Sequence, residues 1–300
     1  MSRAANTNAL PDLPAHPIPV EQVVIEIVGD PRNVGGRLVL QDGVESSYID
    51  IAHPERLGFE YQRHLASVID VMHPKRLPIA VFQIGGGPCA VMRYLDATRR
   101  DLRALVAELD PGVIQTAERY LGLVQGPRLR VQAGDGRAVM GRLPDASLDI
   151  VVVDAFLGLV VPHALVTSQF VADARRVLRP DGIHIVNLID IPPNGYATAV
   201  VATLRAAYAD VIVMADPAVI GGDSAGNFVI GASDRAIPAE IIARHVVRDD
   251  DPWQVLSGRP LVRWVGDAAP LDDAIEPDHE LARLGDLFGR VRRPQQKDTT

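Results

Sequence analysis

The sequence predicts an α/β fold in which a mostly parallel, seven-stranded sheet carries helices on both faces and follows a small β region. Three observations support this prediction. Between residues 79 and 232, short β-rich runs alternate with stretches whose apolar residues recur at helical spacing, and this alternation requires a mostly parallel sheet. Nearer the N-terminus, β-rich runs are separated by turn residues alone. The 300 residues are 47% hydrophobic and 23% charged, which is ordinary for a globular protein with a sizeable core.

The N-terminal part is predicted as a leader followed by the small β region. Residues 1–20 contain several prolines, and they lack the basic segment followed by an apolar segment that is typical of a signal peptide. We therefore expect a disordered leader and not a signal peptide. Residues 21–52 hold three β-rich runs, at 23–28, 37–40 and 47–51. The glycine-containing turns between these runs indicate a small antiparallel appendage.

Residues 53–234 are predicted as the α/β domain. Apolar residues at helical spacing over 54–72 predict a first helix that ends at His73 and Pro74. The seven predicted strands are 79–84, 102–108, 129–132, 148–153, 183–188, 211–214 and 228–232. The predicted helices between them run through Tyr94 and over 111–121, 137–140, 163–178 and 196–208. Residues 235–300 are predicted as a C-terminal extension with one short helix at 239–246 and a flexible tail.

The charge, cysteine, apolar and histidine content of the sequence argues against several classes of partner and site. A formal charge of −8 disfavours nucleic acid and anionic membranes as partners. The single cysteine, Cys89, excludes an internal disulfide and fits a reducing cytoplasm. The most apolar window, 150–166, is interrupted by Asp154 and Pro162, so no membrane span is expected. The eight histidines show no metal-ligand spacing, so no metal is expected.

Ligand-binding residues are expected at the carboxyl ends of the parallel strands, because the crevice of such sheets lies there. The first parallel strand ends in Gly85, Gly86 and Gly87, directly before a helix. Glycine lets the backbone approach a ligand closely, and the helix N-terminus offers free N–H groups. The triplet also fits a loose dinucleotide pattern, so by itself it does not identify the ligand.

Carboxylates follow the next three strands. Glu108 ends the second strand, where an acidic side chain can accept both hydroxyls of a ribose. Asp135, before Gly136, could accept a hydrogen bond from an adenine amino group, and Asp154 ends the fourth strand. These residues suit an adenosine that carries a positive charge, and none of them would hold a pyrophosphate. A sulfonium nucleoside therefore fits best.

These motifs resemble the spermidine synthase (polyamine aminopropyltransferase) family, a branch of the Rossmann-like class I methyltransferase fold that uses S-adenosylmethionine. The resemblance covers about residues 36–231. It is carried by the runs QIGGG at 83–87, VAELDP at 106–111, AGDG at 133–136, VVD at 152–154 and LRPDG at 178–182. Weaker matches lie at 40–43, 59–62 and 270–273. The family's habit of pairing subunits implies a homodimer.

In this family an amine attacks the aminopropyl carbon of decarboxylated S-adenosylmethionine, and methylthioadenosine leaves. The resemblance implies that Glu108 holds the ribose, Asp135 holds the adenine and Asp154 takes the proton of the amine acceptor. Further nucleoside contacts are implied for Gln41, Gly85, Gly86, Gly87 and Gly136, and acceptor contacts for Tyr61, Gln62 and Leu157.

Three positions depart from the family pattern on the amine side of the site. Pro88 and Leu157 stand where the family has aspartates, and Gln62 stands where it has a histidine. Losing two carboxylates from a dication site disfavours a free diamine, because an unpaired ammonium costs several kcal/mol to desolvate. Without a carboxylate at Pro88, intact S-adenosylmethionine would no longer be repelled. Methyl transfer from intact S-adenosylmethionine to a more apolar acceptor, or nucleoside binding without catalysis, therefore remain alternatives.

Several of these residues also have a purely structural interpretation. Asp110, just before Pro111, and Asp135 are expected to cap helices. Tyr61 suits core packing as well as acceptor contact, and Cys89 is expected to pack in the core. Asp154 could also be a solvated residue at a strand end.

Overall fold

The computed structural model describes residues 10–246 and 252–274, which form two β-sheets with helices around the larger one. The smaller sheet has four consecutive antiparallel strands. They are β1 (Ile18–Pro19), β2 (Val24–Asp30), β3 (Asn33–Gln41) and β4 (Val44–Asp50). Asp42 and Gly43, with φ angles of 50° and 75°, form the tight turn between β3 and β4, as expected for an Asp-Gly hairpin.

The prediction of a disordered leader over 1–20 is wrong for its second half. Residues 18–19 form β1, in which Ile18 pairs with Ile25 of β2. The carbonyl oxygen of Pro11 accepts a hydrogen bond from Arg37 Nη2 at 3.2 Å. Ile18 and Val20 pack against the core and hold this part of the chain on the sheet. Residues 1–9 lie outside the described residues.

The larger sheet has eight strands, one more than predicted. They are β5 (Ile79–Gly85), β6 (Leu102–Glu108), β7 (Leu129–Ala133), β8 (Leu148–Asp154), β9 (Leu178–Asp190), β10 (Asp210–Ala215), β11 (Gly226–Ser233) and β12 (Gln254–Leu256). Their order is β12-β10-β11-β9-β8-β5-β6-β7. Strands β5 to β9 pair in parallel, and β10, β11 and β12 are antiparallel to their neighbours. The eighth strand, β12, extends the edge at β10.

Helices cover both faces of this sheet, as predicted. They are α1 (Glu60–Met72), α2 (Ala90–Thr98), α3 (Pro111–Tyr120), α4 (Gly136–Met140), α5 (Ser168–Val177), α6 (Gly195–Ala207), α7 (Pro217–Gly221), α8 (Ala239–Val246) and α9 (Gly258–Val265). The predicted helix over 54–72 begins only at Glu60, where Gln62 Oε1 accepts the Phe59 N–H at 3.4 Å. The predicted helix over 163–178 is broken, because Thr167 caps a new helix by accepting the Phe170 N–H.

The alternating side chains of each strand build one core on each face of the sheet. In β8, Val151 and Val153 face the core formed with α4, α5, α6 and α9. Ile150 and Val152 face the opposite core, formed with α1, α2, α3, α8 and the smaller sheet. The fold class predicted from sequence is therefore confirmed.

The predicted C-terminal extension packs onto the α/β domain as far as residue 274. Its helix at 239–246 is α8, while β12 and α9 were not predicted. Asp273 accepts hydrogen bonds from Arg137 Nη2 at 2.7 Å and from the Thr167 hydroxyl at 2.6 Å. The acidic run at 249–251 and the tail from 275 lie outside the described residues. Within the described ranges, no helix has both the length and the apolar character that crossing a membrane requires.

Candidate functional site

A cavity of about 280 Å³ lies at the carboxyl ends of β5, β6 and β8, beside the smaller sheet. Every site residue predicted from sequence lines it, so the structure brings the whole predicted set together. These residues are Gln41, Tyr61, Gln62, Gly85, Gly86, Gly87, Glu108, Asp135, Gly136, Asp154 and Leu157. Their binding and catalytic roles remain predictions.

The glycine loop between β5 and α2 needs glycine for its conformation. Gly85, Gly86 and Gly87 have φ angles of +72°, +88° and +39°, a region that other residues rarely adopt. A Cβ atom on Gly85 would lie 2.6 Å from the Cα of Ala155, and one on Gly86 would overlap the side-chain nitrogen of Gln83. The absence of side chains therefore lets the loop lie against the end of β8.

Gln83 fixes this loop, a role that the sequence motif did not reveal. It lies in β5 and is 1% exposed, and its Nε2 donates a hydrogen bond to the Gly85 carbonyl at 2.9 Å. This bond holds the first peptide of the loop in place. Sequence reasoning could have noticed only that a polar glutamine interrupts an otherwise apolar buried strand.

Glu108 lies beside the glycine loop at the end of β6. Its carboxylate accepts a hydrogen bond from the backbone N–H of Asp110 at 3.2 Å, and the backbone N–H groups of Gly87 and Leu109 lie nearby. Burial raises the pKa of Glu108, and these backbone donors oppose the rise. Asp110 instead caps α3 by accepting the Gly112 N–H at 2.7 Å, as predicted. Of the two acidic residues, Glu108 is thus the one that lines the cavity.

Asp135 and Gly136 form the rim of the cavity after β7. Asp135 is exposed, and its Oδ1 accepts the Ala138 N–H at 2.7 Å, so it caps α4 as predicted. Gly136 is buried, and a Cβ atom there would overlap the side chain of Ile84. Gly136 therefore allows α4 to begin close against β5.

Asp154 is a buried carboxylate at the end of β8, directly opposite Gly85 in the strand register. It is 8% exposed, which excludes a solvated residue at a strand end. Burial raises its pKa to about 6, and the hydrogen bond from Asn187 opposes this rise. A carboxyl group with such a pKa can accept and release a proton near neutral pH.

Two asparagines orient Asp154, and sequence reasoning missed both. Asn187 Nδ2 donates to Asp154 Oδ1 at 2.8 Å, and Asn227 Nδ2 donates to Asn187 Oδ1 at 3.0 Å. Asn187 lies in β9 and Asn227 in β11, so only the strand order β11-β9-β8 brings them to this carboxylate. The signal in the sequence was a single asparagine in each of two apolar strands.

The smaller sheet and the start of α1 form the opposite wall. Gln62 is 1% exposed, and its Nε2 donates to the Ser47 hydroxyl at 3.1 Å. The Tyr61 hydroxyl donates to the Ser46 carbonyl at 3.3 Å. Burial, together with the nearby charge of Asp154, raises the pKa of Tyr61 well above its usual value. Tyr61 therefore remains a neutral hydrogen-bonding group next to the carboxylate.

Apolar residues form part of the cavity wall. Pro88 and Leu157, where the resemblance implies aspartates, both line it together with Phe156, and Leu157 is 55% exposed. Cys89 is fully buried, and burial raises the pKa of its thiol to about 12, so it packs as expected. Among the residues that the structure describes, no group of three or more His, Cys, Asp or Glu side chains is arranged to hold a metal ion.

Known proteins resemble this chain in both sequence and fold. Residues 58–207, half of the chain, match the spermine/spermidine synthase domain family. A polyamine aminopropyltransferase from Vibrio vulnificus is 30% identical over 138 residues, which are 44% of this chain and 44% of that protein. A probable spermidine synthase from Corynebacterium glutamicum has 26% identity and a TM-score of 0.82 over 89% of this chain and 99% of that one.

The fold extends to more distant proteins. The structure of human methyltransferase-like protein 13 in complex with SAH has a TM-score of 0.50 and 18% identity to this chain. The alignment covers 76% of this chain and 100% of that chain. This likeness shows a shared fold and nothing more. The matches span between 44% and 60% of the length of the first curated relatives. Because the family match covers half of the chain and agrees with the motifs at the strand ends, the chain belongs to the spermine/spermidine synthase domain family.

Proposed function

We propose that this protein binds decarboxylated S-adenosylmethionine in the cavity and transfers its aminopropyl group to an amine acceptor, with Asp154 as the base. The observation that carries the proposal is the state of Asp154, a buried carboxylate with a pKa of about 6. It lines the same cavity as Glu108 and Asp135. A base of that strength, placed beside two groups suited to an adenosine, fits aminopropyl transfer.

The glycine loop and Glu108 would bind the nucleoside. Glu108 accepts a hydrogen bond from the Asp110 N–H at 3.2 Å, so its carboxylate is already oriented before a ribose binds. Asp135, on the rim, would accept a hydrogen bond from the adenine amino group. The carboxylates of Glu108 and Asp154 also favour a sulfonium cation between them, since opposite charges attract strongly where water is excluded.

The transfer itself is a single displacement. The nitrogen of the acceptor amine bonds to the aminopropyl carbon, the bond from that carbon to sulfur breaks, and methylthioadenosine leaves as a neutral thioether. The attacking nitrogen gains positive charge as its bond forms, so its proton passes to the Asp154 carboxylate. General-base help of this kind contributes about 10²–10⁴-fold, and holding both reactants in one cavity contributes more.

Asn187 would set the direction from which Asp154 accepts the proton. It binds Oδ1, while Oδ2 lies towards Gly86, where a Cβ atom on that glycine would be 3.3 Å from it. Oδ2 is therefore the oxygen on the side of the glycine loop, where the nucleoside would lie. This arrangement supports Oδ2 as the proton acceptor.

Methyl transfer from intact S-adenosylmethionine to an apolar acceptor is the second candidate, and a nucleoside-binding protein without catalysis is a variant of it. The observation that favours it is the apolar wall formed by Pro88 and Leu157. Replacing Pro88 with aspartate should weaken intact S-adenosylmethionine relative to the decarboxylated form. If both affinities change equally, Pro88 does not set the choice of donor.

A calorimetric titration tests the proposal against both alternatives. The protein is titrated with decarboxylated S-adenosylmethionine, intact S-adenosylmethionine and methylthioadenosine, each with and without butane-1,4-diamine. We expect preference for the decarboxylated donor and product formation when the diamine is added. Preference for the intact donor, with the diamine inert, would instead support methyl transfer or binding alone.

The proposal includes a cytoplasmic homodimer that acts on a small-molecule acceptor. The cytoplasmic location is supported by a single cysteine that is fully buried, which suits a reducing compartment. The homodimer rests on the family resemblance. Light scattering coupled to gel filtration distinguishes a dimer from the 32.4 kDa monomer.

A further inference from the structure

Residues 271–274, here called the C-terminal segment, bond to two elements that form one wall of the cavity. The first element is the start of α4, which contributes Asp135 and Gly136 to that wall. The second is the single 3₁₀ turn His163–Leu165 between β8 and α5, which also lines the cavity. The C-terminal segment therefore connects two parts of the wall that come from different places in the chain.

Asp273 makes the connection with its carboxylate. Its Oδ1 and Oδ2 accept hydrogen bonds from Arg137 Nη1 at 2.9 Å and from Arg137 Nη2 at 2.7 Å. Its Oδ1 also accepts from the Thr167 hydroxyl at 2.6 Å, directly before α5. Arg137 lies in α4, and its Nη1 donates in addition to the Ala164 carbonyl at 3.2 Å. Asp273 thus fixes the guanidinium that joins α4 to the turn.

The residues beside Asp273 hold the C-terminal segment in place. His163 Nε2 donates to the Asp272 carbonyl at 2.9 Å. The backbone N–H and the hydroxyl of Ser168 both donate to the Leu271 carbonyl at 2.9 Å. The side chain of Leu271 is 8% exposed and packs in the core on this face of the sheet. Because the segment is anchored in this way, the position of the Asp273 carboxylate is fixed.

The ion pair of Asp273 and Arg137 is better suited to positioning than to stabilising the whole fold. The hydrogen bonds from Arg137 and Thr167 lower the pKa of Asp273 to about 2, so the carboxylate is charged at neutral pH. The side chains of Asp273 and Arg137 are 38% and 28% exposed, so water screens their attraction. Two parallel bonds between a carboxylate and a guanidinium nevertheless fix the orientation of both groups.

We propose that Asp273 is a positioning residue for the nucleoside. Through Arg137 it holds the turn His163–Leu165 at a fixed distance from Asp135 and Gly136, where the adenine would lie. A wall that already has its bound shape increases affinity, because fewer groups must be ordered when the ligand binds. The inference rests on the proposed nucleoside binding and adds to it a residue that does not itself line the cavity.

Calorimetric titration of the full chain with methylthioadenosine tests this role. In Asp273→Asn an N–H group replaces one of the two oxygens that face Arg137, and we expect affinity to weaken about fivefold to tenfold. The number of binding sites per chain should stay the same. Partial unfolding would instead lower the number of sites and leave the affinity of the folded protein unchanged.

The matched control is Asp272→Asn, which removes the same charge from the neighbouring residue. Asp272 Oδ2 accepts from Gln169 Nε2 at 2.6 Å, and Gln169 does not line the cavity. We expect the affinity of this control to change less than about twofold. If Asp272→Asn weakened binding as much as Asp273→Asn, the loss of charge alone would explain the effect and the positioning role would be overturned.

A double-mutant cycle tests whether Asp273 acts through Arg137. Arg137→Gln and the double variant Arg137→Gln with Asp273→Asn should both bind methylthioadenosine about as weakly as Asp273→Asn, because each breaks the same connection. Losses of binding free energy that add in the double variant would overturn the connection through Arg137.

The kinetics of transfer provide a second readout. In Asp273→Asn the KM for decarboxylated S-adenosylmethionine should rise about as much as the affinity for methylthioadenosine falls. The kcat at saturating donor should stay within about twofold, since the carboxylate of Asp154 is held by Asn187 and not by the C-terminal segment. A lower kcat with an unchanged KM would overturn the positioning role.

Failure of the positioning role and failure of the proposed function give different results. Equal affinities of the wild-type protein and Asp273→Asn for methylthioadenosine would overturn the positioning role and leave the transfer reaction standing. Binding that depends on Asp273, without any aminopropyl transfer by the wild-type protein, would overturn the reaction and leave the positioning role standing.

Discussion

Replacing Asn187 with leucine should move the pH dependence of the reaction. Leucine has the same branching of heavy atoms as asparagine but cannot donate a hydrogen bond. The lost bond, Asn187 Nδ2 to Asp154 Oδ1 at 2.8 Å, favours the ionised form of a carboxylate whose pKa is about 6. Removing it should therefore raise the pKa of Asp154.

The size of the change follows from the strength of that bond. A hydrogen bond to a charged group contributes about 1.5–3 kcal/mol, and each pKa unit corresponds to about 1.4 kcal/mol. The pKa of Asp154 in the variant should thus rise by about one to two units. At pH 6.5 most of the carboxyl group would then be protonated, and kcat/KM should fall roughly threefold to twenty-fivefold, with little change at pH 9.

The assay is the pH profile of kcat/KM, followed by release of methylthioadenosine. Asn227→Leu is the matched control, because it removes the bond to Asn187 Oδ1 at 3.0 Å but leaves the bond to Asp154 intact. In Asn227→Leu, the acidic limb of the pH profile should move by less than about half a pH unit. A rate that falls equally at every pH in Asn187→Leu, with an unmoved acidic limb, would refute the assignment of Asn187 as the group that tunes Asp154.

Two further predictions concern stability and nucleoside binding. Because burial raises the pKa of Asp154 to about 6, ionisation of this carboxyl group destabilises the fold as the pH rises through about 6. Asp154→Asn should therefore raise the free energy of unfolding by up to about 3 kcal/mol at pH 8 and by almost nothing at pH 3.5. Equal effects of the substitution at both pH values, measured by urea unfolding, would contradict this prediction. Gly86→Ala should abolish binding of methylthioadenosine in calorimetry, because its Cβ would overlap Gln83 Nε2 and its φ is +88°. Gly126→Ala, with open space around its Cβ, is the control, and retained binding in Gly86→Ala would show that the loop does not shape the site.

Much of the fold could be predicted because its signals are local. The strands that end at Gly85, Glu108 and Asp154 are apolar runs bounded by turn residues, and their parallel order follows from the helices between them. The caps at Asp110 and Asp135 could likewise be predicted, since each stands directly before its helix. These same strand ends carry the candidate site, so the glycine loop, Glu108 and Asp154 in the cavity wall were predicted with the fold, while their binding and catalytic roles remain predictions.

The parts that were missed depend on distant contacts. The strand β12 has three residues and exists only because it pairs with β10, and α9 contains glycine and proline but buries Leu261 and Val265. The break before α5 depends on the cap at Thr167, which also contacts Asp273 from the C-terminal extension. None of these contacts can be inferred from hydrophobic periodicity within a short window.

The contacts around Asp154 and at the start of α1 were missed for the same reason. Asn187 reaches Asp154 only through the pairing of β8 with β9, and Trp253 reaches Glu60 across 193 residues of chain. Contacts between residues so far apart in the sequence cannot be inferred from motifs that each span a few residues.

The central claim is that Asp154 is the base for aminopropyl transfer in this cavity. Its most direct test is the rate at which methylthioadenosine is released from decarboxylated S-adenosylmethionine and butane-1,4-diamine, both saturating, by the wild-type protein and by Asp154→Asn. We predict steady release by the wild-type protein and release that is about 10²-fold slower or more by the variant. No release by the wild-type protein, or equal rates for the two proteins, would contradict the account.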